Sequence, residues 1–483
     1  MTPLTLLWVL PAAGALACGA GGLAGRRVAR GLALLFATAH LAATALVFSA
    51  LLKTGGVGFY AESGPTWAYG ISYSLAADGL SASLIVLTAF LTFICVVASW
   101  ELEVGAGYWA AFLALSSALC GVFLARDLFF FYAFWEATLI PMFFIIGLWG
   151  SENRRKAAVK FFLFTFAGSV FMLLGILALV TAKHAAGGVW SWDLAVLDSA
   201  KSSFPAWAFW GLVAGFAVKI PLAPLHTWLP DAHTEAPAAG SVMLAGVMLK
   251  MGVYGLLRVA IPLFPELSWE ALPLIGGLAA FSTVYGALCA MAQGDLKRLI
   301  AYSSVAHLGF CVLGAFSRSP QGLAGASLQM LNHGITTGAL FLLVGFLYER
   351  THKRGLADFG GLAARAPWLT FFFGFSTLAS IGLPGLNGFV GEFLALFGAA
   401  TALPALAIGG AVGVTLAPAY ALPAFQAVFW GPEGPGSKSA EVTDLTLREK
   451  SILWTLCALM LWIGLRPTPW LAALEPSLRG LAR

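Results

Sequence analysis

Glu136, Lys219, Lys250 and Glu392 each stand in a run that is otherwise nearly free of charge: FYAFWEATLIPMFF, GLVAGFAVKIPLAPL, SVMLAGVMLKMGVYG and LPGLNGFVGEFL. Amines and carboxyls in apolar surroundings are the material of a proton relay, because desolvation penalises the charged form of each and favours passing the proton to a neighbour. His307 in LIAYSSVAHLGF and His333 in LQMLNHGITTGALFLL lie between Lys250 and Glu392 along the chain. They are read as further relay members, since histidine changes charge closest to neutral pH. His226 and His233 follow Lys219, whereas His40, His184 and His352 are read as loop or interface residues. The plainer alternative is a structural ion pair of Glu136 with Lys219. It leaves Lys250 and Glu392 without a role, and a buried pair gains little stability over apolar packing.

The rest of the chain says what must position these groups. Of 483 residues, 60% are hydrophobic and only 10% charged, against roughly a quarter charged in soluble domains, which excludes an ordinary water-soluble enzyme. A window of about 19 residues picks out about fourteen apolar segments. They lie near 3–22, 31–52, 78–100, 107–125, 127–149, 157–182, 205–229, 237–262, 271–291, 298–317, 322–348, 367–402, 404–430 and 451–466. The fold class expected is therefore all-α and polytopic. The Ala15-Leu16-Ala17 triplet is read as part of a first spanning helix, since no basic stretch precedes it. A charge at the bilayer centre costs at least about 2.5 kcal/mol, so the intramembrane ionisable residues are candidates for function.

The net charge of +5 follows topology. One set of alternate loops holds the Arg26–Arg30 and Arg154–Lys160 clusters, Lys297, Arg298, the Arg350–Arg365 group, Lys438, Arg448 and Lys450; the other holds fewer, such as Lys53, Arg126, Arg258, Arg318 and Arg483. The richer set is expected inside the cell, which leaves both termini on the outer side. Nothing in this distribution points to nucleic acid. The six cysteines are scattered through apolar stretches without CxxC spacing, which argues against zinc or an iron–sulfur cluster. No phosphate-binding glycine loop follows a strand.

Two segments should break. Pro221, Pro224 and Pro230 follow Lys219 closely, and each removes a backbone donor. The run from 367 to 402 would measure about 54 Å if straight, against about 30 Å of hydrocarbon, and Gly382, Pro384, Gly385, Asn387 and Gly388 mark its break just before Glu392. Paired broken helices, each with a central charge, are the pattern of inverted repeats around an ion path. The division expected is 1–106 as leading helices, 107–262 as a first repeat of about five helices, 271–430 as its inverted copy, and 431–483 as a cytoplasmic loop with a last helix.

Several of these runs resemble a known family. FYAFWEATLIPMFFIIGLWG, VKIPLAPLHTWLPDAHTEAPAAGSVMLAGVMLKMGVYGLLR, GDLKRLIAYSSVAHLGF, LQMLNHGITTGALFLLVGFLYER and LPGLNGFVGEF resemble the proton-translocating antiporter-like subunits of respiratory complex I. Glu392, where sister chains usually carry lysine, makes the chain-M type of bacterial NADH-quinone oxidoreductase the closest likeness. The resemblance implies about fourteen helices in a bacterial inner membrane, with the seventh and twelfth discontinuous. It implies that Glu136 modulates Lys219, that Lys219 is the central proton-holding lysine, that Lys250 connects onward and that Glu392 is the exit group, with His307 and His333 on the polar axis. It further implies no cofactor on this chain. Quinone, NADH, FMN and iron–sulfur clusters would belong to other subunits, and the partners would be neighbouring antiporter-like chains and the lipid bilayer. A cation/proton antiporter subunit or the membrane subunit of an energy-converting hydrogenase is the rival reading.

Overall fold

The computed structural model describes residues 2–53, 60–199, 201–434 and 442–482; Lys438 and Arg483, counted above among the loop cations, lie outside them. Eleven helices among the described residues are long and apolar enough to cross a membrane, or twelve if the bent pair Leu447–Leu465 and Thr468–Leu481 is one span. The chain is a multi-pass membrane protein. The count falls below the expected fourteen for a physical reason. The segments at 205–229 and 367–402 are split into pieces of 14 residues or so, Ala206–Lys219 before the first break and Pro367–Ser380 before the second, each too short to span alone.

Helix ends follow local chemistry. Proline opens the helices at Pro3, Pro320, Pro367 and Pro404, where its missing N–H is not needed. Asp78, Asp127, Asp295, Ser319 and Thr446 accept from backbone N–H groups of the first turn, the usual side-chain cap. Where two helices come closest, the residue is small. A side chain at Gly252 would meet the Phe216 carbonyl at 2.7 Å, so glycine there lets the Lys250 helix lie against the Lys219 helix.

The helices are not equally enclosed. In Ala238–Leu263, Leu296–Ser317 and Pro320–Thr351 the apolar windows are 94%, 94% and 100% buried, against 22% in Pro3–Ala24. The enclosed three carry Lys250, His307 and His333, and the outer ones turn Leu16, Leu35 and Leu46 outward. A spanning bundle buries its polar side chains inward and shows apolar ones to lipid.

Three kinds of element were not foreseen. An antiparallel hairpin pairs Tyr60–Thr66 with Ser72–Ala77, and a short helix, Thr468–Leu478, follows the last span after a 72° bend. Two π-helical turns, Leu244–Met248 and Leu256–Ala260, flank Lys250–Gly255. His40, expected in a loop or interface, is buried within Arg26–Lys53, 3.5 Å from Ser116 Oγ and Cys120 Sγ. Arg258, expected at the end of the 237–262 segment, lies there and pairs with Asp78, the cap of Gly79–Ala98.

Candidate functional site: a buried polar chain

Around the first break the helix ends at Lys219 and resumes at Trp228. Lys219 is 1% exposed, and its Nζ has no hydrogen-bond partner among the described residues. It lies 5.8 Å from the Trp135 ring centroid and 5.6 Å from that of Phe161, an aromatic setting that attracts a cation without fixing it. Glu136, one residue beyond Trp135, is half-buried with Oε1 unpartnered. It and Lys219 form no ion pair among the described residues. The structural-pair alternative therefore has no ion pair behind it among the described residues; the two helices meet through apolar rings, with the Trp135 ring 5.7 Å from that of Phe216.

The break itself is held from elsewhere. Ser282 Oγ accepts from the Ala223 N–H at 2.8 Å, and Trp228 Nε1 donates to the Val218 carbonyl at 3.0 Å. The second half of the broken helix is tied by ions. Asp231 meets Lys160 at 2.6 Å and Arg298 at 3.1 Å, while Arg354 meets Glu235 at 3.6 Å and Asp295 at 2.7 Å. Such networks help to hold geometry even where a single surface pair contributes little.

Lys250 is reached next along the chain. Its Nζ lies 2.6 Å from His333 Nδ1 and donates to the Ala245 carbonyl, five residues back. The π-helical turn makes this possible, since its widened register takes Leu249 N–H to the Leu244 carbonyl at 3.2 Å. Single π turns of this kind often sit at functional sites. The rings of His333 and His307 are 5.9 Å apart, and His307 Nδ1 lies 2.6 Å from Glu392 Oε1. Gln329 Nε2 donates to the same oxygen at 2.9 Å, and Ser380 and Tyr420 face His307 Nε2 at 3.4 Å. Lys250, His333, His307 and Glu392 thus form one contiguous chain across four helices, each member no more than 4% exposed.

The second break runs from Ser380 to Asn387, with Gly382 and Gly385 at φ of 74° and 93°, values that side chains other than glycine resist. Asn387 locks it. Its Nδ2 donates to the Asn332 carbonyl at 3.2 Å and to Thr336 Oγ1 at 3.1 Å, and Asn332 Nδ2 donates to the Asn387 carbonyl at 2.7 Å. Sequence reasoning marked Asn387 only as a breaker. It missed Gln329 and Tyr420, whose types carry no signal until a partner in another helix is known.

Comparison with known proteins agrees with this architecture. Residues 125–416 match the family described as NADH:quinone oxidoreductase/Mrp antiporter, transmembrane. NADH-quinone oxidoreductase subunit M of Rhodobacter capsulatus is 44% identical over 86% of this chain and 83% of its own length. That of Escherichia coli K12 is 41% identical over 83% and 81%. The chain belongs to the subunit M family of NADH-quinone oxidoreductases. A chain of respiratory complex I from Thermus thermophilus superposes with a TM-score of 0.88 at 34% identity, covering 99% of this chain and 100% of that one. The Mrp complex of a Dietzia species superposes at 0.87 with 22% identity over 100% and 98%, which shows a shared fold alone. At 41 to 44% identity the subunit M relatives outweigh the antiporter and hydrogenase readings.

Proposed function

We propose that this chain is a proton-translocating membrane-arm subunit of an NADH-quinone oxidoreductase. The observation that carries the reading is the buried contiguous chain Lys250, His333, His307 and Glu392, with the unpartnered amine of Lys219 near it across the helix contact at Gly252. Lys219 holds a proton while Glu136 faces it, since an opposite charge favours the ammonium form. When the charge state of a neighbouring subunit draws Glu136 away, Lys219 releases its proton towards Lys250. The proton then passes by His333 and His307 to Glu392 and leaves. No hydrogen bond among the described residues joins Lys219 to Lys250, and buried polar atoms such as Lys219 Nζ and His333 Nε2 are of the kind that internal water completes.

In this reading the split segments are the seventh and twelfth of about fourteen spans, in two inverted repeats over about 107–262 and 271–430. Both termini face outward from the inner membrane of a bacterium, as the positive-inside rule expects. The chain works beside other antiporter-like subunits, and nicotinamide, flavin, iron–sulfur and quinone chemistry belongs to other members of the complex. The test is Lys219→Ala in the assembled complex, with proton uptake into liposomes followed during NADH oxidation. Loss of pumping is expected; normal pumping by a correctly assembled variant ends the central-lysine reading.

A further inference from the structure

The last span, Leu447–Leu465, runs beside the second broken helix and meets it at three levels. Asp444, in the short stretch before that span, reaches the first half of the broken helix. Its two carboxylate oxygens accept from the N–H groups of Trp368 and Leu369 at 3.0 and 3.1 Å. Helix Pro367–Ser380 has no side-chain cap of its own at Ala366, so a residue far along the chain satisfies the free donors of its first turn. Further along, the Trp454 ring lies 5.2 Å from that of Phe372 and 5.6 Å from that of Phe371. At the third level Gly464 meets the break itself. A Cβ there would strike the Gly385 carbonyl and come within 2.5 Å of Leu386 Cα, and glycine is what lets two backbones approach so closely.

The second half of the broken helix, Asn387–Ala402, is supported from elsewhere. Gln329, Asn332 and Thr336 of helix Pro320–Thr351 hold its Glu392 and Asn387. That helix is in turn tied to the last span. Glu449, 2% exposed, accepts from Arg350 Nη1 and Nη2 at 3.0 and 2.7 Å, and Arg350 Nε donates to the Thr443 carbonyl at 3.1 Å. A two-point guanidinium–carboxylate pair fixes orientation as well as distance. The two halves thus have separate supports, and Arg350 joins them. Ser380 comes from the first half and Glu392 from the second, and both face the ring of His307, at 3.4 Å and 2.6 Å. His307 sits where the two halves must agree.

We infer that the last span is a splint for the second break, and that Gly464 and Asp444 are positioning residues which set how Ser380 and Glu392 meet His307. This rests on the proposed role of Glu392 in proton transfer. Neither positioning residue lies in the polar chain. A break interrupts the ladder of N–H to carbonyl bonds that fixes one turn of a helix on the next, so the angle between the halves is set by what packs against them. Ring packing at Trp454 tolerates sliding. The backbone contact at Gly464 and the two hydrogen bonds at Asp444 do not, and they hold the first half at both of its ends. The geometry they protect is demanding, because a misplacement of about 1 Å at a reacting group can slow a step about a hundredfold.

The deciding variant is Gly464→Ala in the assembled complex. The added methyl pushes the span and the break apart, and NADH-driven proton translocation should slow about tenfold. Leu461→Ala, on the exposed side of the same span, should pump as the native chain does. The pH profile separates positioning from general damage. A change in how Glu392 meets His307 moves the pH at which pumping is half-maximal, because that midpoint reports the groups that pass the proton; a structural defect only scales the profile. Full pumping by Gly464→Ala, or a scaled profile with an unmoved midpoint, overturns the inference. Should Gly464→Ala fail to assemble, Asp444→Ala carries the same test from the other end of the half-helix. It should slow pumping several-fold with a moved midpoint, and full pumping or an unmoved midpoint again overturns the inference. Glu392→Gln keeps the two readings apart. If it pumps normally, the role of Glu392 fails and the splint with it; if it does not pump while Gly464→Ala and Asp444→Ala both do, the splint alone fails.

Discussion

At the first break a lysine amine ends its helix among the rings of Trp135 and Phe161, with no hydrogen bond and its carboxylate counterpart out of pairing distance. At the second, a carboxyl follows the break and is gripped by His307 and Gln329 within 2.9 Å, beside the Asn387, Asn332 and Thr336 lock. Both regions use a broken helix to bring a charge to mid-bundle, and they hold it by opposite means. The amine at the first break is held by no hydrogen bond among the described residues, whereas Glu392 Oε1 is fixed by two partners at the second. In the proposed function, the first end is the one that is switched and the second the one that conducts.

This contrast can be broken by experiment. The largest effect is expected from Glu392→Ala, which leaves His307 and Gln329 without their acceptor. Pumping should fall about a hundredfold, and the purified complex should also melt lower, because unpaired buried groups cost about 1 to 3 kcal/mol each. Lys219→Met should stop pumping as well but leave the melting temperature unchanged, since no protein hydrogen bond is lost; a large fall in melting temperature would erase the contrast. Glu136→Gln should slow pumping several-fold with assembly intact, through lost charge on Lys219, read from rates of acidification. Asn387→Ala removes three side-chain contacts and should destabilise the second break by about 2 kcal/mol, seen as faster proteolysis between the two halves of that helix. Ser282→Ala, which frees the Ala223 N–H at the first break, is the smallest, at about 1 kcal/mol.

Much of the fold was legible beforehand. Long apolar runs between basic loops specify spanning helices, and the prolines after Lys219 and the glycines before Glu392 specify where two of them break. The hairpin at 60–77 was hidden by its short strands, and the π-helical turns by sequence that reads as ordinary helix. His40 looked peripheral because an isolated histidine near a chain end gives no sign of the Ser116 and Cys120 that receive it. Arg258 could be placed near a helix end, but its pairing with Asp78, far away along the chain, could not be read.

Within the candidate site, the identity of the central charges was a matter of sequence alone. The cost of placing a charge in hydrocarbon depends on the hydropathy of its immediate neighbours, and those neighbours are written beside it in the string. Which of these charges touch was decided only by the tertiary structure. Lys250, His333, His307 and Glu392 sit on four different helices, and a hydrogen bond reaches only about 3 Å, so their contacts depend on how those helices pack, register and widen at Ala245. The absence of an ion pair between Glu136 and Lys219 and the lock at Asn387 arise in the same way, from side chains that meet only after the bundle has formed.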